Sequence, residues 1–259
     1  MSARHTLSKR IPWIFFDLDD TLWDFSNNSL ESLRHLYENI GEFKGFDSFK
    51  EFIDIYHLHN SELWSAYSKG EIDTDTLKIE RWRRKFNEKL PYSVELSRIK
   101  EIDREYLSFL SAIPREMEGV TEMLESLSHR SIIGVISNGF SDTQYRKLKF
   151  SGLQKYVTRI IVSEEIGISK PDPAIFQYAV RETGATGIQL MVGDNFSTDI
   201  LGAVKSGWHA IWLNLNNKEV PITSEDFEKE GLDSSLLFDC VSNILDVKNS
   251  IERFLSRFW

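Results

Sequence analysis

The sequence predicts an α/β protein: a doubly wound parallel sheet with a four-helix insertion after the first strand. Three observations carry that reading. Short runs that are apolar on both faces recur at Trp13–Phe16, Ile132–Ile136, Ile160–Val162, Leu190–Val192 and Ala210–Leu213, the pattern of strands buried inside a parallel sheet. From Pro114 onward these runs alternate with amphipathic helical stretches, which is the rhythm of strand–helix–strand crossovers. Between the first strand and Pro114 the strand pattern stops and helical periodicity replaces it. The domain expectation follows: residues 11–22 and 112–259 form the α/β core, and residues 23–111 form an inserted helical domain.

The chain has 259 residues, 41% of them hydrophobic and 12% aromatic, enough to bury a core. Its formal net charge of -9 argues against broad binding to nucleic acid or to an anionic membrane. An acidic protein can still take a phosphorylated small molecule if the site supplies its own cation and donors. No apolar run reaches the ~18–20 residues of a membrane span. Residues 1–10 are polar and basic rather than signal-like, so a cytoplasmic protein is expected. The single Cys240 cannot form an internal disulfide and is expected to be a buried thiol. Oligomeric state leaves no mark on the sequence.

Taken in order, Ile11–Phe16 is the first strand. Asn28 and Glu31 resemble a capping pair for a helix through Leu33, Tyr37 and Ile40, ending at Gly41. Phe52, Ile53, Tyr56, Leu63 and Trp64 trace a second helix to about Gly70. A third starts at Asp73 or Thr74 and stops before Pro91; a fourth runs through Ile99, Ile102 and Tyr106 to Pro114. Glu116–Ser128 is predicted helical, followed by the strand closing on Ser137-Asn138-Gly139. A helix over Asp142–Phe150 leads to the strand Arg159–Val162. Pro173 suits the first turn of a helix to about Thr183. The strand Gln189–Val192 ends at Gly193-Asp194, and a helix near Asp199–Ser206 leads to Ala210–Leu213. Leu236–Phe238 is read as an edge strand, Val241–Phe258 as a closing helix, and Pro221–Ser235 as an exposed acidic loop.

Polar clusters sit at the ends of four of these strands. Asp17 and Asp19 lie two apart, so extended chain aims them the same way at the carboxyl end of the first strand. Alone, that pair also fits an acidic turn or a helix cap. Ser137-Asn138-Gly139, Lys170 and Asp194–Asp199 follow later strands, and a parallel sheet gathers all four ends on one edge. Together they make a kit for phosphoryl transfer. One carboxylate can attack phosphorus, and a second can protonate the leaving oxygen and later activate water. A hydroxyl, main-chain N–H groups and a lysine can hold phosphoryl oxygens, while further carboxylates complete an all-oxygen Mg2+ site.

These residues resemble the signature motifs of the haloacid dehalogenase (HAD) superfamily, in order along the chain. Asp17-Leu18-Asp19-Asp20-Thr21 is similar to its D-x-D-x-T motif, which implies Asp17 as nucleophile and Asp19 as general acid and base. Ser137 matches the second-motif hydroxyl, with Asn138 and Gly139 as phosphate contacts, and Lys170 in Lys170-Pro171-Asp172-Pro173 matches the third-motif lysine. Gly193-Asp194-Asn195-Phe196-Ser197-Thr198-Asp199 matches the G-D-x-x-x-x-D form. The resemblance implies Asp17, Asp194 and the Asp19 carbonyl as Mg2+ ligands, with Asp199 supporting the site. It also implies a HAD-like Rossmannoid core, and the insertion falls where the family's helical cap belongs. The dehalogenase branch lacks the second aspartate, because a halide leaves without a proton. Asp19 therefore implies phosphate-ester hydrolysis.

Ile14-Phe15-Phe16-Asp17, Ser137-Asn138-Gly139-Phe140, Ser163-Glu164-Glu165-Ile166-Gly167 and Trp212-Leu213-Asn214 resemble the pyrimidine 5'-nucleotidase branch. Its substrate would be a nucleoside 5'-monophosphate. A sugar-phosphate phosphatase or phosphomutase on the same scaffold is the alternative, and a phospho-aspartate signalling module a more distant one. Trp23 and Phe140 are candidate substrate contacts. The basic run Arg81-Trp82-Arg83-Arg84-Lys85 is expected to be a solvated helix face.

Overall fold

The computed structural model describes residues 11–219, 233, 235–236 and 238–258. In chain order the elements are β1 (Trp13–Phe16), α1 (Phe25–Asn39), a 3-10 turn (Gly41–Gly45), α2 (Phe49–Ser68), α3 (Thr74–Lys89), α4 (Leu96–Ala112), α5 (Val120–Ser128) and β2 (Ile132–Ser137). Then come α6 (Ser141–Ser151), β3 (Arg159–Val162), α7 (Ser163–Ile166), α8 (Pro173–Thr183) and β4 (Gln189–Gly193). A π-helical turn (Phe196–Ile200), α9 (Leu201–Lys205), β5 (His209–Leu213), β6 (Phe238–Val241) and α10 (Ile244–Phe258) complete the chain. The described residues divide into two compact units, those up to Asp24 together with those from Pro114 onward, and Phe25–Ile113.

The first unit is the sheet. Its strand order is β3-β2-β1-β4-β5-β6, and every pairing is parallel. The chain winds outward from β1 through β2 to β3, then returns to β4 and winds the other way. The reversal puts a switch point at the carboxyl ends of β1 and β4, where open α/β sheets bind ligands. Phe16 pairs with Val192, and Asp17 donates its N–H to the Val192 carbonyl at 2.8 Å, so Asp17 sits beside Gly193 and Asp194. Wholly buried Phe15, Ile136, Phe176 and Met191 pack on one face with Trp13 and Trp208. Burying each large apolar side chain is worth about 1.5–3 kcal/mol, which fixes the register of the strands that carry the site.

The second unit is helical. α2 packs on α3, α1 on α4 and α3 on α4. Ser48 caps α2 and Asp73 caps α3 through side-chain acceptors, as their residue types favour. Phe43, Phe52, Tyr56, Trp82 and Tyr106 form a continuous aromatic core with neighbouring ring centroids 4.7–6.2 Å apart.

Several sequence expectations are corrected. Helix α1 begins at Phe25, so Asn28 lies inside it and is buried instead of capping it. Helix α5 begins at Val120, because Gly119 takes a left-handed φ of 87° and Glu116 bridges back to Trp23. Residues 196–200 wind as a π turn before the short α9, and Ser163–Ile166 forms a single helical turn that periodicity did not show. The edge strand is Phe238–Val241, with Leu237 outside the described residues, and the closing helix starts at Ile244. Cys240 is exposed on that edge strand. The expected loop Pro221–Ser235 lies outside the described residues except for Asp233 and Ser235. Arg81 and Lys85 are buried at 2% and 0% exposure, so their helix face is core and not solvated. One turn apart, they point the same way into the aromatic centre of the unit. Among the described residues no helix is long and apolar enough to cross a membrane.

Candidate active site

Asp17 is buried at the end of β1, 8% exposed. Lys170, itself 2% exposed, donates from Nζ to Asp17 Oδ1 at 2.5 Å and lies 2.8 Å from Asp199 Oδ1. Asp199 is held in turn by the Asn195 N–H at 3.1 Å and the Thr198 hydroxyl at 3.1 Å. Gly193 is required beside it, because a Cβ there would run into the Asp199 carboxylate. Asp17, Asp194 and Asp199 each offer an oxygen, and the three oxygens lie within 4.8 Å of one another.

The electrostatics follow from crowding. Burial raises the Asp17 carboxyl to about 7; Lys170 pulls it down, while Asp199 and Asp19 push it further up. Burial, with Asp17, Asp199 and Asp20, raises Asp194 to about 8 against a smaller pull from Lys170. Burial alone would lower Lys170, but Asp17 and Asp199 outweigh it and hold it charged. Three carboxylates face one ammonium, so the cluster keeps protons unless another cation joins it. An all-carboxylate donor set with excess negative charge fits a hard divalent cation such as Mg2+.

The second-motif residues are placed differently from their expectation. Ser137 is buried at the end of β2. The Asn138 side chain serves as a brace: Nδ2 donates to the Lys170 carbonyl at 2.8 Å, and Oδ1 accepts from the Lys170 N–H at 2.9 Å. The Gly139 N–H donates to Ser137 Oγ at 3.1 Å. The expected phosphate contacts are thus turned inward, Asn138 onto Lys170 and Gly139 onto Ser137. Asp19 stands apart from the three-carboxylate group, its side chain bonded to Gln144 and Lys147. Asp20 adopts a left-handed φ of 56°, which turns the chain sharply after the aspartate pair.

Of the candidate substrate contacts, Trp23 is wholly buried, with the Lys147 ammonium 4.6 Å over its ring, and Phe140 is 5% exposed. Gln144 and Lys147 are the polar residues that sequence reading missed. A signal was available: the buried face of α6 is Thr143, Gln144, Lys147 and Leu148, polar where a packing helix is normally apolar.

A doubly wound parallel sheet with a carboxylate–lysine cluster at its switch point is the fold and candidate site of a HAD-like hydrolase. The chain belongs to the haloacid dehalogenase-like hydrolases, whose family model matches residues 11–207. It is 31% identical over 214 residues to pyrimidine 5'-nucleotidase YjjG of Escherichia coli, covering 81% of this chain and 88% of that protein. It is also 31% identical over 232 residues to glyceraldehyde 3-phosphate phosphatase of Methanothermobacter thermautotrophicus, covering 87% and 95%. Its fold resembles the crystal structure of HAD-hydrolase YfnB of Bacillus subtilis bound to magnesium, with a TM-score of 0.77 at 23% identity, over 94% of this chain and 100% of that one.

Proposed function

We propose that the protein is a Mg2+-dependent phosphomonoesterase that works through an aspartyl-phosphate and acts on nucleoside 5'-monophosphates, pyrimidine ones first. The observation that carries the chemistry is the buried Asp17 carboxylate, fixed at 2.5 Å by Lys170 within the Asp17–Asp194–Asp199 cluster. In this reading Asp17 attacks phosphorus in line, and the bond from phosphorus to the ester oxygen breaks. Asp19 gives its proton to that leaving oxygen. Asp19, now a carboxylate, takes a proton from water, which attacks phosphorus and releases inorganic phosphate from Asp17. Lys170 and the Ser137 hydroxyl bind the equatorial oxygens through both steps. Asp17, Asp194, Asp199 and the Asp19 carbonyl would hold the Mg2+. When bound, that ion supplies positive charge that keeps the carboxylates ionised and offsets charge on the phosphoryl group. We assign selectivity for the leaving group to the inserted helical unit, as a cap.

The substrate class rests on the resemblance to pyrimidine 5'-nucleotidases from E. coli and Streptococcus pneumoniae. A sugar-phosphate substrate is the second reading, favoured by the equally identical glyceraldehyde 3-phosphate phosphatase. The test is phosphate release from uridine, cytidine, adenosine and guanosine 5'-monophosphates, several sugar phosphates and p-nitrophenyl phosphate, with and without Mg2+. Release should require Mg2+, favour the pyrimidine nucleotides, and fall by at least ~10³-fold in Asp17→Asn. An Asp17→Asn protein with native turnover would sink the mechanism. A sugar phosphate at the head of the ranking would replace the nucleotidase reading.

A further inference from the structure

Asp19 lies in a hydrogen-bonded clamp built from α6. Lys147 Nζ donates to Asp19 Oδ1 at 2.6 Å, and Gln144 Nε2 donates to Oδ2 at 2.9 Å. Both oxygens of the carboxylate are thereby held in one orientation. The same Gln144 nitrogen donates to Ser137 Oγ at 2.5 Å, and the Gly139 N–H reaches that oxygen as well. A hydroxyl has two acceptor positions and one proton to give. With two donors on its oxygen, Ser137 is left as a donor, which is the role that a phosphoryl oxygen requires.

The clamp is buried and braced. Gln144 is 0% exposed and Lys147 2% exposed, so neither belongs to the solvated face of the helix. Sinking an amide and an ammonium here is costly unless they are bonded, and both spend donors on Asp19. The Trp23 ring lies 4.6 Å from Lys147 Nζ. The start of α6 is tied down by α7: the Ser141 N–H donates to Glu164 at 2.7 Å and its hydroxyl donates to Glu165. Gly139 leaves the space that Gln144 fills, since a Cβ there would run into the Gln144 amide.

We propose that Gln144 and Lys147 are positioning residues for the acid–base step. They hold Asp19 where it meets the ester oxygen, and through Gln144 they set the Ser137 hydroxyl as a donor to the same phosphoryl group. The proposal rests on the phosphomonoesterase reading and concerns groups that this reading does not use.

Its test separates the two half-reactions by leaving group. An alkyl ester needs a proton from Asp19 as it departs, whereas p-nitrophenolate leaves without one. Both routes need Asp19 to activate water in the second step. Lys147→Met and Gln144→Met should each lower kcat on uridine 5'-monophosphate and glycerol 3-phosphate by ~10²-fold, the scale of a positioned acid–base group, with KM little changed. With p-nitrophenyl phosphate the same variants should give a rapid burst of nitrophenolate equal to the enzyme present, followed by slow turnover. Lys147→Arg, which keeps a cation on Asp19, should recover to within ~10-fold of the native rate. Gln144→Asn carries the same expectation as Gln144→Met and serves if a methionine variant loses its cooperative melting transition. Native kcat on the alkyl esters, or equal losses in the first turnover of both ester types, would overturn the proposal. A native protein that releases phosphate from none of these esters would overturn the phosphatase reading, and this proposal with it. A native protein that is active while the variants lose the first turnover on every ester to the same extent, p-nitrophenyl phosphate included, would overturn this proposal alone.

Discussion

Lys170 in the sheet unit and Lys85 in the helical unit are sealed from solvent almost equally, at 2% and 0% exposure. Lys170 lies against Asp17 and Asp199, which raise its proton affinity despite burial. Lys85 Nζ has no hydrogen-bond partner among the described residues. It faces rings instead, 3.7 Å from the Tyr56 centroid and 4.3 Å from that of Trp82. Burial, together with nearby Arg81, pushes it well below its ordinary value, and Asp103 only partly opposes them. Asp103 is already spent on Arg81 and on the Trp82 N–H at 2.7 Å. The difference teaches that depth does not decide a lysine's charge; the carboxylates within reach do. The sheet unit pairs its ammonium with two carboxylates, and the helical unit packs an amine as if it were a hydrophobe.

The largest effect should come from Lys170→Met. Removing the cation between Asp17 and Asp199 should cut kcat for phosphate release by ~10²–10³-fold, as loss of a buried charge-stabilising donor does. A loss under tenfold would break the contrast between the two lysines. Next is the coupling of Mg2+ to pH. Because Asp17 and Asp194 are raised to about 7 and about 8, the metal-free fold holds protons that the unfolded chain gives up. Their contribution to stability is fullest below the unfolded carboxyl value of about 4 and is lost as pH rises through 7 to 8. Melting curves should therefore show metal-free Tm falling across that window, and a larger Mg2+-induced rise at pH 8.5 than at pH 5. Equal Mg2+ shifts at both pH values would remove the electrostatic account. The smallest effect belongs to Lys85→Met. A depressed lysine contributes stability above its unfolded value of about 10.4 and loses it as pH falls. The methionine should therefore stabilise by about 1–3 kcal/mol near pH 6–7, with the gain shrinking toward pH 10. Urea unfolding at the two pH values would check it, and destabilisation at pH 7 would show that the amine is held by more than rings.

The positions of the strands and of the main site residues were legible because each signal is local. An apolar run closed by Asp17, Ser137 or Asp194 reads as a strand end wherever it occurs, and parallel topology gathers those ends on one edge. The helix over Thr74–Lys89 was legible from its Asp73 cap and from Pro91 beyond it. What failed depends on partners far along the chain. The burial of Arg81 needs Asp103, 22 positions away. The roles of Gln144 and Lys147 need Asp19, 125 and 128 positions away. The start of α5 was misjudged because Glu116 pairs with Trp23. The contact of the Asn138 amide with the Lys170 backbone is likewise shown by no local pattern, because it joins residues 32 positions apart.

That Asn138 brace has a consequence for the chemical lifetime of the protein. Asn138 precedes Gly139, and an Asn-Gly pair is the dipeptide most prone to deamidate, because the glycine nitrogen can swing round and attack the side-chain carbonyl carbon. In the folded chain the Asn138 amide is held at both ends by Lys170, and the Gly139 N–H is engaged with Ser137. The reacting pair is thus kept from meeting for as long as the site stays assembled. Each excursion that opens this corner exposes it to a slow, irreversible change. A carboxylate at position 138 would then face the Lys170 carbonyl oxygen with no proton to offer. Wear in this protein should begin at the residue that braces the backbone of Lys170.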